Sequence, residues 1–336
     1  MQVGWLGLGA MGAPMAARAA RAGHVVCGYD VVPGRAASLA GDGVRPAGTV
    51  AAAAGGTDLI VIMVATPEQA EEVLFAPGGA AGSLAAGSIV VVMATVGPEA
   101  VISAADRLAA RGVAVVDAPV SGGTARAATG DLLIMVSGPQ EPVARAQPVL
   151  AALARSAPVV GPSPGDGQRM KLVNQLLCGV HIAAAAEALA FAEALGLTAA
   201  ECWRVLREGA AASFMLDDRG ARMVEGQFEP ARSALDIFVK DMGLVGAAAE
   251  QAGAAAPLAA AARRLYIRGH DLGLGRLDDS VLIEVLRRDR VVPAREDDPA
   301  SLPTARTRRP VTERRDHVLS RCRPPQRPAP NWAIGR

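Results

Sequence analysis

Six residues into the chain a β-prone run, VGWL, gives way to GLGAMG and then to the helix-forming APMAARAARAGH. Gly7, Gly9 and Gly12 therefore fall on a strand-to-helix turn with GxGxxG spacing, which ties a first βαβ unit to a particular geometry. Gly7 permits the tight turn, Gly9 lets a diphosphate approach the backbone, and Gly12 lets helix and strand pack closely. The helix N-terminus faces that diphosphate, so Leu8, Ala10 and Met11 join the three glycines as expected cofactor-binding residues. The next β-prone run, VVCGYD, ends in Asp30, 23 residues after Gly7. An acidic side chain there accepts hydrogen bonds from ribose hydroxyls and repels a 2′-phosphate, which predicts NAD in preference to NADP. Arg35 stands close enough to act against that preference.

Further short runs (DLIVIMV, SIVVVM, VAVVDAPV, LLIMVSG) alternate with Ala/Leu/Arg-rich segments up to about residue 160. Several are apolar throughout, as strands covered on both faces are, and this predicts an open, mostly parallel α/β sheet. Beyond SPGDG the strand signals stop, and helical periods follow at roughly 167–195, 199–210, 214–224, 232–252, 256–268 and 278–288. The expected fold class is an α/β Rossmann-type dinucleotide-binding domain over 1–163, followed by an all-α domain over 164–289 for substrate binding and dimerisation. The Arg/Pro-rich stretch 290–336 loses its apolar period and is expected to be disordered.

Composition narrows the partners. A formal net charge of +1 gives no overall field for a nucleic acid or an anionic membrane. Four scattered cysteines, without CxxC or Cys/His spacing, predict reduced thiols in a cytoplasm and no metal site. No leader-like segment opens the chain, and HIAAAAEALAFAEALGL is interrupted by Glu187 and Glu193, so a globular helix is expected there rather than a membrane span.

Two stretches add chemistry. In DAPVSGGTARAATGDL, Ser121 supplies a hydroxyl and Gly122 and Gly123 leave their amides uncovered, a concave donor set for a carboxylate. In GDGQRMKLVNQLL, Asn174, Gln175 and Cys178 share a helical face with Lys171 at i+3, i+4 and i+7. From periodicity alone Lys171 reads as an exposed lysine.

Together with the opening GLGAMG segment, these stretches resemble the β-hydroxyacid dehydrogenase family over residues 1 to about 288. QLLCGVHIAAAAEALA, SALDIFVKDMGLV and GLGRLDDSVLIEVL look like the branch of that family that acts on sugar acids such as L-threonate. The resemblance implies a nicotinamide-dependent oxidation of a small, carboxylate-bearing hydroxy acid to its 2-oxo acid. Lys171 is then the catalytic acid/base, and Ser121, Gly122, Gly123, Asn174, Gln175 and Ser213 bind substrate. Val64 and Ala65 line the adenosine side, Thr95 lies near the nicotinamide ribose, and Lys240 approaches the cofactor and closes the cleft.

Asn174 stands where the threonate branch usually has histidine and the tartronate semialdehyde branch has asparagine. A 2-hydroxy-3-oxopropionate reductase or a 3-hydroxyisobutyrate dehydrogenase is therefore the alternative within the family. A non-catalytic dinucleotide-binding module and an imine reductase are the alternatives outside it. His181 is expected to pack or to support the site rather than react, and Asp279 to reach substrate or cap the next helix. The Ala-rich helical half is expected to form a homodimer or homotetramer.

Overall fold

The computed structural model describes residues 1–289; the Arg/Pro-rich stretch expected to be disordered lies outside the described residues. In chain order the first half runs β1 (Gln2–Leu6), α1 (Gly12–Arg21), β2 (Val25–Tyr29), β3 (Val44–Pro46), α2 (Val50–Ala54), β4 (Leu59–Ile62), α3 (Pro67–Phe75), β5 (Ile89–Val92) and α4 (Pro98–Ala109). It continues with β6 (Ala114–Asp117), β7 (Val120–Ser121), α5 (Gly123–Thr129), β8 (Leu132–Ile134), β9 (Val136–Ser137), α6 (Gln140–Leu153), β10 (Ala154–Ser156) and β11 (Val159–Gly161).

The apolar runs become strands because both of their faces are covered. Leu59, Val61, Ile89 and Val91 join Val3, Trp5 and Met15 in one core, while Ile60, Ile62, Val90 and Val92 join Leu6, Leu74 and Leu108 in the other. The main sheet has the order β11-β9-β6-β5-β4-β1-β2-β3 and is parallel except where β6 meets β9. The single run LLIMVSG is divided at Met135, whose amide turns to the Pro119 carbonyl, so that β8 enters a small second sheet, β10-β8-β7, and β9 the main one. Strand order reverses between β1 and β4, and the crevice at their carboxyl ends is where open α/β sheets bind ligands.

The helical half comprises α7 (Asp166–Ala194), α8 (Ala199–Leu206), α9 (Phe214–Glu225), α10 (Leu235–Gln251), α11 (Pro257–Asp271) and α12 (Leu282–Arg288). α7 is long and apolar enough to cross a membrane by composition, yet its inner face contributes Ile182, Ala186 and Leu189 to a core with Phe238, Met242 and Tyr266. α10 crosses α7 so closely that a Cβ on Gly179 would overlap the Met242 sulfur. The Tyr266 hydroxyl donates to the Gly179 carbonyl at 2.9 Å, and the Tyr266 ring stacks on Phe238.

Candidate active site

The glycine turn is built as its spacing predicts, and each glycine answers a different demand. Gly7 has φ +98, and a Cβ there would come 2.5 Å from the Met63 carbonyl oxygen at the end of β4. A Cβ on Gly12 would overlap the Gly7 carbonyl, whereas one on Gly9 would meet no protein atom. Gly9 thus faces open space at the N-terminus of α1, and the amides of Gly9, Ala10 and Met11 donate to no residue among those described. Unpaired donors beside an uncovered glycine fit the diphosphate of a dinucleotide. Val64 lies against the Gly7 turn, and the Ala65 amide donates to Gln69 Oε1 at 2.9 Å.

Asp30 does more than the sequence suggests. It accepts the Leu8 amide (2.7 Å), the Val32 amide (2.8 Å) and Arg35 Nη1 (2.9 Å), so it fastens the glycine turn to the end of β2. Three of about four acceptor sites of the carboxylate are filled, and one remains for a ribose hydroxyl. The Arg35 contact also neutralises part of the charge that would repel a 2′-phosphate.

Lys171 lies on the inner face of α7 and is buried, only 6% exposed. Burial holds its amine below the ordinary lysine range, against the opposing pull of the Asp241 carboxylate. Among the described residues its Nζ forms no hydrogen bond or ion pair. Asn174 donates to Gln175 Oε1 (2.8 Å) and to Cys178 Sγ (3.4 Å), and Gln175 donates to Asp241 Oδ2. From α10, Lys240 donates to the Thr95 carbonyl at 2.7 Å and lies 2.7 Å from Asp241 Oδ1. The lysine helix, the loop after β5 and α10 therefore meet at one corner. Thr95 takes part through its carbonyl oxygen.

Ser121 ends β7 half-exposed, followed by Gly122 at φ +141 and Gly123 at φ +75, conformations that side chains disfavour. A Cβ at Gly123 would meet nothing, whereas one at Gly122 would come 3.0 Å from Arg126 Cδ and 3.1 Å from Leu132 Cδ2. One turn on, the Arg126 guanidinium lies 4.9 Å over the Phe214 ring and ties this turn to the start of α9. Ser213 caps α9, accepting the Leu216 amide at 3.0 Å, and its hydroxyl hydrogen stays available to donate.

Two expectations are corrected. Within the chain His181 is not packed; it is exposed on the outer face of α7. Asp279 does not cap α12. Asp278 caps that turn through Ser280, and Asp279, fully buried, grips Arg219 at 2.9 and 3.1 Å. Burial pushes the Asp279 carboxyl up; it would lower Arg219, but Asp279 and Asp218 more than offset it and raise the guanidinium.

Asp241 and Gln168 were missed, although a signal exists for both. Each is a polar residue on an otherwise buried helical stripe, with Phe238, Met242 and Val245 around Asp241 and with Leu172, Gly179 and Ile182 following Gln168.

Comparison with known proteins places the chain among relatives. Residues 2–161 match the family described as the NAD binding domain of 6-phosphogluconate dehydrogenase. Residues 165–286 match the NAD-binding domain of NADP-dependent 3-hydroxyisobutyrate dehydrogenase. L-threonate dehydrogenase of Cupriavidus necator is 39% identical over 84% of this chain and 95% of its own. The crystal structure of 3-hydroxyisobutyrate dehydrogenase from Salmonella typhimurium, 38% identical, superposes with a TM-score of 0.79 over 84% of this chain and 99% of its own. The Mycobacterium tuberculosis 3-hydroxyisobutyrate dehydrogenase structure, 29% identical, gives 0.75 over 85% and 98%. With a glycine turn at the carboxyl end of β1 and a buried lysine on α7, the chain belongs to the β-hydroxyacid dehydrogenase family of NAD(P)-binding oxidoreductases that act on CH–OH groups.

Proposed function

We propose that the chain oxidises a small sugar acid, L-threonate, at carbon 2 to the 2-oxo acid, with NAD as acceptor and Lys171 as general base. The observation that carries this reading is the placement of Lys171: a buried amine, depressed below the lysine range, beside Asp241 and on the face that presents Asn174. A pure binding module has no use for such a group.

Bound at the glycine turn and Asp30, a nicotinamide cofactor would supply the acceptor for the hydride of the carbinol carbon. Lys171 Nζ takes the hydroxyl proton as that C–H bond breaks, and the O–H electron pair becomes the second bond of the carbonyl. In the reverse direction the ammonium returns the proton. The Gly122 and Gly123 amides with the Ser121 hydroxyl hold the substrate carboxylate, Asn174 orients the hydroxyl, and Ser213 reaches the substrate from α9. Gln175, with its amide between Asn174 and Asp241, fixes both. Lys240 holds the loop at Thr95 against α10 and so keeps water from the reacting atoms.

Asn174 favours one second reading, reduction of 2-hydroxy-3-oxopropionate, with 3-hydroxyisobutyrate as a further substrate to try. Purified protein with NAD or NADP and a panel of these acids, followed by nicotinamide absorbance, separates the substrates and the cofactors. Lys171→Ala should keep dinucleotide affinity and lose most turnover; a fully active variant refutes the mechanism.

A further inference from the structure

Gln168 holds three segments at once. It is fully buried, one turn before Lys171 on α7. Its Oε1 accepts the amides of Val96 (3.0 Å) and Gly97 (3.1 Å), and its Nε2 donates to the Ala94 carbonyl (3.0 Å) and to Asp117 Oδ1 (2.8 Å). Both donors and both acceptor sites of the amide are therefore used. Asp117, also fully buried, receives on Oδ2 the amides of Gln168 (2.8 Å) and Gly165 (3.1 Å) and the Ser137 hydroxyl (3.3 Å). The Ser137 oxygen in turn accepts the Gly167 amide at 2.8 Å. Among the described residues no cation pairs with Asp117, so the N-terminal amides and dipole of α7 stabilise its charge.

The three gripped segments are those the reaction uses. Ala94 to Gly97 brackets Thr95, which Lys240 holds from the other side. Asp117 opens the segment that leads, four residues on, to the Ser121–Gly123 turn. The third segment is the first turn of the lysine helix itself. A cap on α7 alone would need only Asp117. The four further bonds of the Gln168 side chain join the β5 loop to β6 and to α7 through one rigid amide.

We propose that Gln168 is a positioning residue that sets the separation of Lys171 from the nicotinamide side at Thr95 and from the carboxylate turn at 121–123. This rests on the reading of Lys171 as the base. Displacing a reacting group by about 1 Å costs on the order of a hundredfold in rate, while binding of either ligand alone is little affected.

The test is Gln168→Glu, which keeps the acceptor for Val96 and Gly97 but loses the donors and faces Asp117 with a second carboxylate. Asp117→Asn in the same chain restores a donor between the two side chains. L-Threonate, or whichever acid of the panel the parent enzyme oxidises, serves as substrate. In Q168E, kcat should fall about tenfold or more while the Kd of the reduced dinucleotide, read by its fluorescence, stays within about threefold. The D117N/Q168E chain should recover at least about threefold of the lost kcat.

Parent-like kcat in Q168E, equal loss of kcat and dinucleotide affinity, or no recovery in the double variant overturns the proposal. Should Q168E not fold, Gln168→Met carries the same kcat-against-Kd comparison without the charge. Lys171→Ala is assayed alongside: turnover surviving there removes the base assignment, whatever Gln168 does.

Discussion

With Lys171 as the proposed base, a single amine bears on both chemistry and stability. Oxidation needs it neutral, so turnover in that direction should rise with pH through its midpoint, which burial places below the ordinary lysine value. The Asp241 carboxylate pulls the other way, favouring the ammonium. Asp241→Asn should therefore move the midpoint of the oxidative pH–rate profile to lower pH, and an unmoved or rising midpoint contradicts the arrangement. Stability follows from the same depressed pKa. The unfolded chain binds the proton more readily, so at neutral pH the buried lysine costs stability; the cost starts to fall as pH passes the folded pKa and is gone only above the ordinary lysine pKa of the unfolded chain. Lys171→Met should stabilise the fold by roughly 1 kcal/mol, read as a higher thermal midpoint, while abolishing turnover. The resemblance alone made this lysine legible, since spacing by itself reads as a surface charge. Asp241 could have been read as a carboxylate on a buried stripe. The Arg219–Asp279 pair could not, because its partners lie 60 residues apart and no local pattern encodes their meeting.

The opening turn shows what an element needs from its glycines. Gly12→Ala would drive a Cβ into the Gly7 carbonyl, and Gly9→Ala would touch nothing in the protein. The first change should therefore destabilise the fold by about 1–3 kcal/mol through overpacking, read as a lower melting temperature. The second should leave melting unchanged and weaken dinucleotide binding about tenfold, equivalent to ~1.4 kcal/mol. Equal effects of the two on melting would show that Gly9 serves the fold rather than the ligand. Strands buried on both faces, β1, β4, β5 and β6, were legible as continuous apolar runs. β3, β10 and β11 were not, because three-residue strands with exposed ends carry too little pattern to stand out from loop. Division of LLIMVSG between two sheets depends on the Met135 amide meeting Pro119, a contact that no local propensity specifies.

Across the whole molecule, α7 has two faces with different partners. Its inner face carries Lys171 and the helical core; its outer face exposes Met170, Val173, Leu177, Phe191 and Leu195, with His181, Ala184 and Ala188 between them. These positions recur every three or four residues, close to the 3.6-residue turn, which draws an apolar seam along one side of a helix. Five large side chains in line, 45–63% exposed, form more than the scattered apolar surface of a monomer. The seam is also self-complementary. Antiparallel packing on a two-fold axis between Ile182 and Ala183 sets Leu177 against Ala188 and His181 against Ala184, large against small, and Met170 against Leu195 at the two ends. Contacts that exchange in this way are those an isologous interface requires. A second copy of this chain is therefore the expected occupant, and sedimentation should show a homodimer or a multiple of it. Phe191→Glu puts a charge into the seam, about 20 residues along α7 from Lys171, and should shift the equilibrium toward monomer. Dinucleotide affinity should hold in that monomer, because the glycine turn and Asp30 belong to the sheet and not to the seam. A parent chain that sediments as a monomer at micromolar concentration would leave the pattern of α7 without this partner.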